Sequence, residues 1–241
     1  MSVTVVLPCL DEASALPGVL AAVPTGWQAL VVDNGSTDGS PELAARLGAR
    51  VVHEGRRGYG APVHTGIEAA TTEVVAVLDC DGSLDPAELV GPVELILSGQ
   101  ADLVVGRRRV VESRSWPWHA RAGNAVLASL IRASTGVAVH DIAPVRVARR
   151  DDLLGLGIVD RRFGYPLETV LAAAQAGWRV VEVDVTYRRR TAGGRSKVSG
   201  SVRGTLRVLH DFTAVLRRRR GRREALSPVS SDRHHASEPF T

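Results

Sequence analysis

Three apolar runs stop on carboxylates: "VTVVLPCLDE" at 3–12, "ALVVDNGSTD" at 29–38 and "VVAVLDCDGSLDP" at 74–86. A valine-rich run of this length reads as a strand covered on both faces, because strands of parallel sheets carry continuous apolar sequence. Val74, Val75, Val77 and Leu78 are therefore interior, and Asp79 and Asp81 fall where the strand leaves the sheet. In open parallel α/β sheets that edge is where ligands bind. Two carboxylates one residue apart can hold a divalent cation that itself holds phosphate oxygens. The same letters also fit a turn at Asp81-Gly82 with Asp85 capping a helix that begins at Pro86.

The surrounding pattern supports a sheet. Apolar runs at 3–10, 29–36, 50–54, 74–79 and 101–109 alternate with helical patterns at 12–23, 41–47, 59–70 and 86–97. Strands alternating with helices imply a parallel sheet with right-handed crossovers. The regularity then breaks. A long helix is expected over 116–135, a short strand over 144–148, a helix over 167–176 and a strand of alternating character over 178–190. An amphipathic helix follows at about 202–218, and residues 222–241 have the composition of a disordered tail. There is no internal repeat. With 241 residues and 44% hydrophobic content, the chain suffices for one core, a single domain over 1–220.

Cys9 and Cys80, the only cysteines, fall in expected strands without metal-ligand spacing and read as small core residues in a reducing compartment, so the cytoplasm is expected. The opening apolar run is too short for a secretory segment, lacks basic residues before it and reads as a first strand. No uninterrupted apolar stretch reaches the ~18 residues of a membrane span. The net charge of +4 comes from arginine, since Lys197 is the single lysine. Arginines cluster at 56–57, 107–109, 188–190 and 217–223, the first three at or just after strand ends. That arrangement suits phosphate. The run "RRRRGRR" would suit nucleic acid as well, but the acidic strand ends argue against it, and no nucleic-acid partner is expected.

Asp33 ends the second strand and can accept from a nucleobase, with Gly35 and Ser36 letting the backbone turn closely; an Asx-turn with an N-cap at Ser40 explains the same residues. Pro8, Asp11 and Glu12 end the first strand at the same edge, where Asp11 would otherwise be a plain N-cap. Capping alone does not explain three neighbouring strands that all end in acids. Together they point to a nucleotide site with a metal beside it.

The ordered series "LPCLDE", "VVDNGSTDGS", "GYGAPVHTGI", "LDCDGSLDP", "VVGRR" resembles the inverting family 2 glycosyltransferases of GT-A fold. The later segments "WPWHARAGN", "TGVAVHDIAPVRV", "FGYPLE" and "GWRVVEVDVTYRRRTAGGRSKVSG" are similar to the polyprenyl-phosphate (dolichol-phosphate) mannose and glucose synthase branch. The resemblance spans about residues 3–212. It implies an α/β GT-A fold with a mostly parallel Rossmann-like sheet flanked by helices. It also implies a nucleotide-diphosphate sugar donor, Mg²⁺ or Mn²⁺, and hexose transfer with inversion. Pro8, Asp11, Glu12 and Asp33 would serve the nucleobase and ribose. Asp79 and Asp81 would form the metal motif, Asp81 as the direct ligand and Asp79 nearer the ribose or sugar. The sequence departs from the pattern twice. Ser83 stands where the branch commonly has a glutamine ligand, and Asp11 replaces an asparagine, which keeps acceptance but loses a donor.

A phosphate acceptor such as polyprenyl phosphate is already ionised and needs positive charge rather than a base. Motif position implies Arg108, Arg121, Arg190, Arg195, Ser196 and Lys197 for that role, arginine's fork being suited to phosphate. A small hydroxylated acceptor would need a base, for which Glu168 is the first choice and Asp141 the second. Both also fit structural roles, Glu168 as a first-turn acid after Pro166. His53, His64 and His119 read as surface or site-lining. The glycines of "RTAGGRSKVSG" allow a loop that closes over the phosphates and excludes water, or a plain connector. Val202, Leu206, Leu209, Thr213 and Leu216 share one helical face. That face either packs on the core or lies peripherally on the cytosolic face of an anionic membrane, where each basic residue adds roughly 1 kcal/mol.

Overall fold

The computed structural model describes residues 2–111, 118–142, 144–191 and Val215. Seven strands form one sheet: β1 (Val3–Cys9), β2 (Gln28–Asp33), β3 (Arg50–His53), β4 (Val74–Val77), β5 (Leu103–Val110), β6 (Val145–Arg149) and β7 (Val180–Tyr187). Their order is β3-β2-β1-β4-β6-β5-β7. Every neighbouring pair is parallel except β4–β6 and β5–β6, so β6 alone is reversed.

The helices are α1 (Leu16–Ala21), α2 (Ser40–Arg46), α3 (Gly60–Ala69), α4 (Val90–Leu97), α5 (Trp118–Thr135), α6 (Arg150–Gly155) and α7 (Tyr165–Gln175). They cover the sheet on both sides. Val6, Val32, Val75, Val77 and Val105 face α3, α5 and α7 through Ile67, Ile131 and Leu171. Their alternates Val5, Leu7, Val31, Ala76 and Val104 face α1 and α4 through Leu16, Val19, Val93 and Ile96. The apolar runs of β1, β2 and β4 thus fill two cores at once, as covered parallel strands require. Gly66 lets α3 lie directly on the sheet, since a Cβ there would stand 2.3 Å from Val6 Cγ1.

The expected strands are present with shorter ends. β4 stops at Val77, which leaves Asp79 and Asp81 in the turns beyond it. The first helix is expected from Glu12 but begins at Leu16, after a turn in which the Glu12 carbonyl accepts from Ala15 at 3.0 Å. The helix expected from Pro86 opens as a 3-10 turn, Pro86–Leu89, capped by Asp85 accepting from the Ala87 amide at 3.0 Å. α6 was not expected. Of the amphipathic helix at 202–218 the structure describes only Val215, which is helical and fully buried in the α3/α5/α7 core. The rest of that helix and the tail lie outside the described residues. No helix among the described residues is long and apolar enough to cross a membrane.

Candidate active site

The carboxyl ends of β1, β2 and β4 are neighbours in the sheet, so their acids gather at one edge. At the β2 end Asp33 is only 5% exposed. Its oxygens accept from the Gly35 amide at 3.2 Å and the Ser36 amide at 3.0 Å, with His53 Nδ1 at 3.3 Å. Burial works against its charge, and the bonds from Ser36, His53 and Gly35 outweigh it, which holds the carboxyl below the ordinary range. Asp33 therefore shapes the turn as an Asx residue.

Beside it Asp11 adopts a positive φ of 49°, a conformation that Asp and Asn tolerate better than most residues. Its Oδ1 accepts from the Thr37 amide at 2.7 Å. The amides of Asp11, Glu12 and Ala13 donate to Ser36 Oγ, Ser40 Oγ and Asp38 Oδ2 at 2.9, 2.9 and 3.0 Å. The segment after β1 is thereby fastened to the loop after β2. Pro8 pairs with Val32 across the two strands, and its carbonyl accepts from the Cys80 thiol.

At the β4 end Asp81 is 4% exposed and Asp79 half-buried. Asp81 Oδ1 accepts from the Ser83 amide at 2.9 Å, and Oδ2 pairs with Arg190 Nε at 2.9 Å. Arg190 follows β7, and the chain there runs along the Asp81 turn: the Arg188 amide donates to the Ser83 carbonyl at 2.9 Å and the Thr191 amide to the Asp81 carbonyl at 3.2 Å. Gly82, at φ 78°, is needed here because a Cβ would stand 2.2 Å from Thr191 Oγ1. Burial first, and the charge of Asp81 second, push the Asp79 carboxyl up to about 6, against relief from Arg190. Arg190 is itself held cationic: burial opposes its charge, and Asp81, Asp79 and Glu12 outweigh it. Two adjacent carboxylates thus share one close guanidinium.

That donor set fits a hard divalent cation. It offers carboxylate oxygens with excess negative charge, and the Ser83 hydroxyl beside them is buried with no hydrogen-bond partner among the described residues. No group of three or more His, Cys, Asp or Glu side chains with metal-binding geometry occurs among the described residues. Asp79 and Asp81 would be the protein's ligands.

Arg108, on β5, lies in an ion-paired network. Its Nε and Nη2 fork onto Asp141 at 2.8 and 2.7 Å, its amide donates to the same carboxylate at 3.0 Å, and its guanidinium lies 5.6 Å from the centre of the Tyr187 ring. Glu182 on β7 accepts from the His140 and Asp141 amides at 2.6 and 3.0 Å, while Asn124 on α5 accepts from the Ile142 amide at 2.9 Å. The two clamps present Asp141 to Arg108. Arg107 and Arg109 both bond Asp184 at 2.7 Å.

Glu168 is held by backbone amides. It is 2% exposed on α7, and its Oε2 accepts from the amides of Val159 and Asp160 at 3.1 and 2.7 Å. Arg121 is exposed on α5. Arg195, Ser196 and Lys197 lie outside the described residues. Of the groups expected at the site, the structure brings together Pro8, Asp11, Glu12, Asp33, Asp79, Asp81 and Arg190, with Arg108 near enough for its charge to act on Asp79. Two further residues belong to its floor. Arg146 on β6 is 2% exposed and pairs in register with Val77, just below Asp79. Tyr59 points its buried hydroxyl toward both, and burial with the Asp79 charge pushes that hydroxyl's pKa up. A charged residue inside the apolar run "VRVAR" was the signal for Arg146.

A twisted α/β sheet with one reversed strand and acids gathered at the carboxyl edge of β1, β2 and β4 defines the GT-A class of glycosyltransferases. Glucosyl-3-phosphoglycerate synthase from Mycobacterium tuberculosis, solved in complex with Mn²⁺, uridine diphosphate and phosphoglyceric acid, superposes with a TM-score of 0.71 at 22% identity, covering 91% of this chain and 78% of that one. The chain belongs to glycosyl transferase family 2, whose pattern matches residues 4–155. It is 58% identical over 215 residues to an uncharacterized glycosyltransferase of Mycobacterium tuberculosis, covering 89% of this chain and 98% of the relative. It is also 33% identical to the polyprenol monophosphomannose synthase of Mycolicibacterium smegmatis, covering 82% and 81%. The resemblance read from the sequence, to the family and to the polyprenyl-phosphate branch, is borne out by these relatives.

Proposed function

We propose that this glycosyltransferase moves a hexose, with inversion, from a nucleotide-diphosphate sugar to polyprenyl phosphate, with Mg²⁺ or Mn²⁺ held by Asp79 and Asp81. One observation carries the choice of a phosphate acceptor. Both carboxylates that would serve a hydroxyl acceptor as base are engaged elsewhere: Glu168 accepts from two backbone amides inside the protein, and Asp141 is forked by Arg108. A phosphate monoester is ionised near neutral pH and attacks without a base. The relatives named for polyprenyl-phosphate chemistry, at 33% and 31% identity, support the lipid form of that acceptor.

The chain's own residues would divide the work. The Asp11–Ala13 segment and the Asp33 turn form a rigid wall for the nucleoside, since each is fastened by hydrogen bonds to the other's loop. A divalent ion bound at Asp79 and Asp81 would neutralise the leaving diphosphate. Arg190 pairs with Asp81 and precedes Arg195, Ser196 and Lys197 in the chain, so it would link the donor end to the groups proposed for acceptor phosphate. Arg108 would add fixed positive potential, tempered by Asp141, and Arg121 a second cation from α5.

The test is sugar transfer from radiolabelled GDP-mannose and UDP-glucose to a short polyprenyl phosphate, with Mg²⁺ or Mn²⁺, with EDTA, and with Asp81→Ala. Metal-dependent label in the organic phase, reduced at least about a hundredfold in the variant, is the expected result. Label that stays in the aqueous phase and rises with 3-phosphoglycerate or another small acceptor would overturn the lipid reading.

A further inference from the structure

Cys9 and Cys80 are both free and 2% exposed, and the function above uses neither thiol. The sheet brings them together. β1 and β4 run parallel, pairing Val3 with Val74 through Val6 with Val77, and past the end of that ladder Cys80 still lies beside the end of β1. A disulfide spans roughly 4.4–6.8 Å of Cα separation, a reach that suits a residue bonded to the peptide next to Cys9. Both side chains enter the same core layer, with Leu7, Leu84 and Tyr187. The Cys80 thiol donates to the Pro8 carbonyl, the peptide oxygen just before Cys9, at 3.0 Å. Cys80 also lies between Asp79 and Asp81 in the chain.

We propose that Cys9 and Cys80 form a redox modification site, which a peroxide-class oxidant converts to an intramolecular disulfide that displaces the Asp79–Asp81 segment and weakens nucleotide binding. Peroxide oxidises one thiol to a sulfenic acid, and its other oxygen leaves as water with the thiol's proton. The second sulfur attacks the first, the S–S bond forms and the sulfenic oxygen leaves as a second water. The dithiol gives up two electrons and peroxide takes them. The displacement follows from bond lengths, because two unbonded sulfurs must close to ~2.05 Å. It also follows from the proton lost, since the Pro8 carbonyl then has no thiol to accept from. Both thiols are buried, so reaction requires the surrounding chain to open and is slow beside a surface thiol.

The effect on nucleotide binding rests on the donor reading above, whereas the bond and the displacement do not. Full-length protein would be treated with hydrogen peroxide, alkylated and digested without reductant. The expected result is one linked peptide joining Cys9 to Cys80, lighter by two hydrogens and split by dithiothreitol, with altered amide exchange across residues 79–85. Affinity for UDP or GDP with Mn²⁺ should fall about tenfold and recover on reduction. Cys9→Ala and Cys80→Ser should each abolish the linked peptide and the peroxide response. Two alkylated thiols, two separate sulfinic acids, a linked peptide with unchanged exchange across 79–85, or unchanged nucleotide affinity in the oxidised protein would each overturn the proposal. Reduced protein that binds neither UDP nor GDP would defeat the donor reading instead, while the linked peptide and the exchange still judge this one.

Discussion

Asp79 is raised to about 6 from an ordinary 3.8, so its proton is held more tightly in the folded chain than in the unfolded one. Its contribution to stability is full below about pH 4 and is lost as pH rises toward 6. Asp79→Asn, which cannot ionise, should match wild type near pH 4 and exceed it near pH 7 by on the order of 1–3 kcal/mol in EDTA. Parallel thermal melts across that range check the sign, and equal stability near pH 7 would contradict the burial argument. Glu168 gives a second test. Glu168→Gln keeps an acceptor toward the Val159 and Asp160 amides, so transfer to a phosphate acceptor should survive within a few-fold, whereas Glu168→Ala leaves buried amides unsatisfied and should cost about 1–3 kcal/mol of stability. A Gln variant that folds normally but loses its kcat would reinstate Glu168 as a base. Asp79 and Asp81 were legible in the sequence because an apolar run that ends on acids has few explanations. The pairing of Arg108 with Asp141 was not, since the two lie 33 residues apart and no local pattern joins them.

Among the elements, the strands of the first half were legible from continuous valine-rich runs, and their ends were placed to within a few residues. α6 was missed because six residues, "RDDLLG", carry too little periodicity to stand out. The reversal of β6 was hidden for another reason: composition carries no strand direction. The packing of α3 rests on glycines whose purpose only the fold reveals. Gly60 donates its amide to the Arg162 carbonyl at 2.9 Å, and a Cβ there would stand 2.6 Å from Tyr165 Cβ and 2.9 Å from two backbone atoms of residues 161 and 162. Backbone cannot swing aside as a flexible side chain does. Gly60→Ala should therefore cost about 1–3 kcal/mol, read as a lower urea midpoint at unchanged slope.

For the whole molecule, binding of donor nucleotide is linkage to the folded state. UDP or GDP with Mn²⁺ at about a hundred times its dissociation constant should stabilise the chain by about 2.7 kcal/mol, seen as a rise in Tm that EDTA abolishes and Asp81→Ala does not show. Neither nucleotide raising Tm would contradict the donor site. The reversed strand β6 also dictates an order of events during synthesis. β4 and β5 never touch as partners; each bonds to β6, which begins at Val145, well after β5 ends at Val110. As the ribosome delivers the chain from its amino end, β1 to β4 can assemble alone, but β5 waits with nowhere to dock until β6 has emerged. Nascent chains halted before Val145 should hence protect the β1–β4 half from protease and leave β5 open to cleavage, and the strand last admitted to the middle of the sheet is the one that closes the molecule.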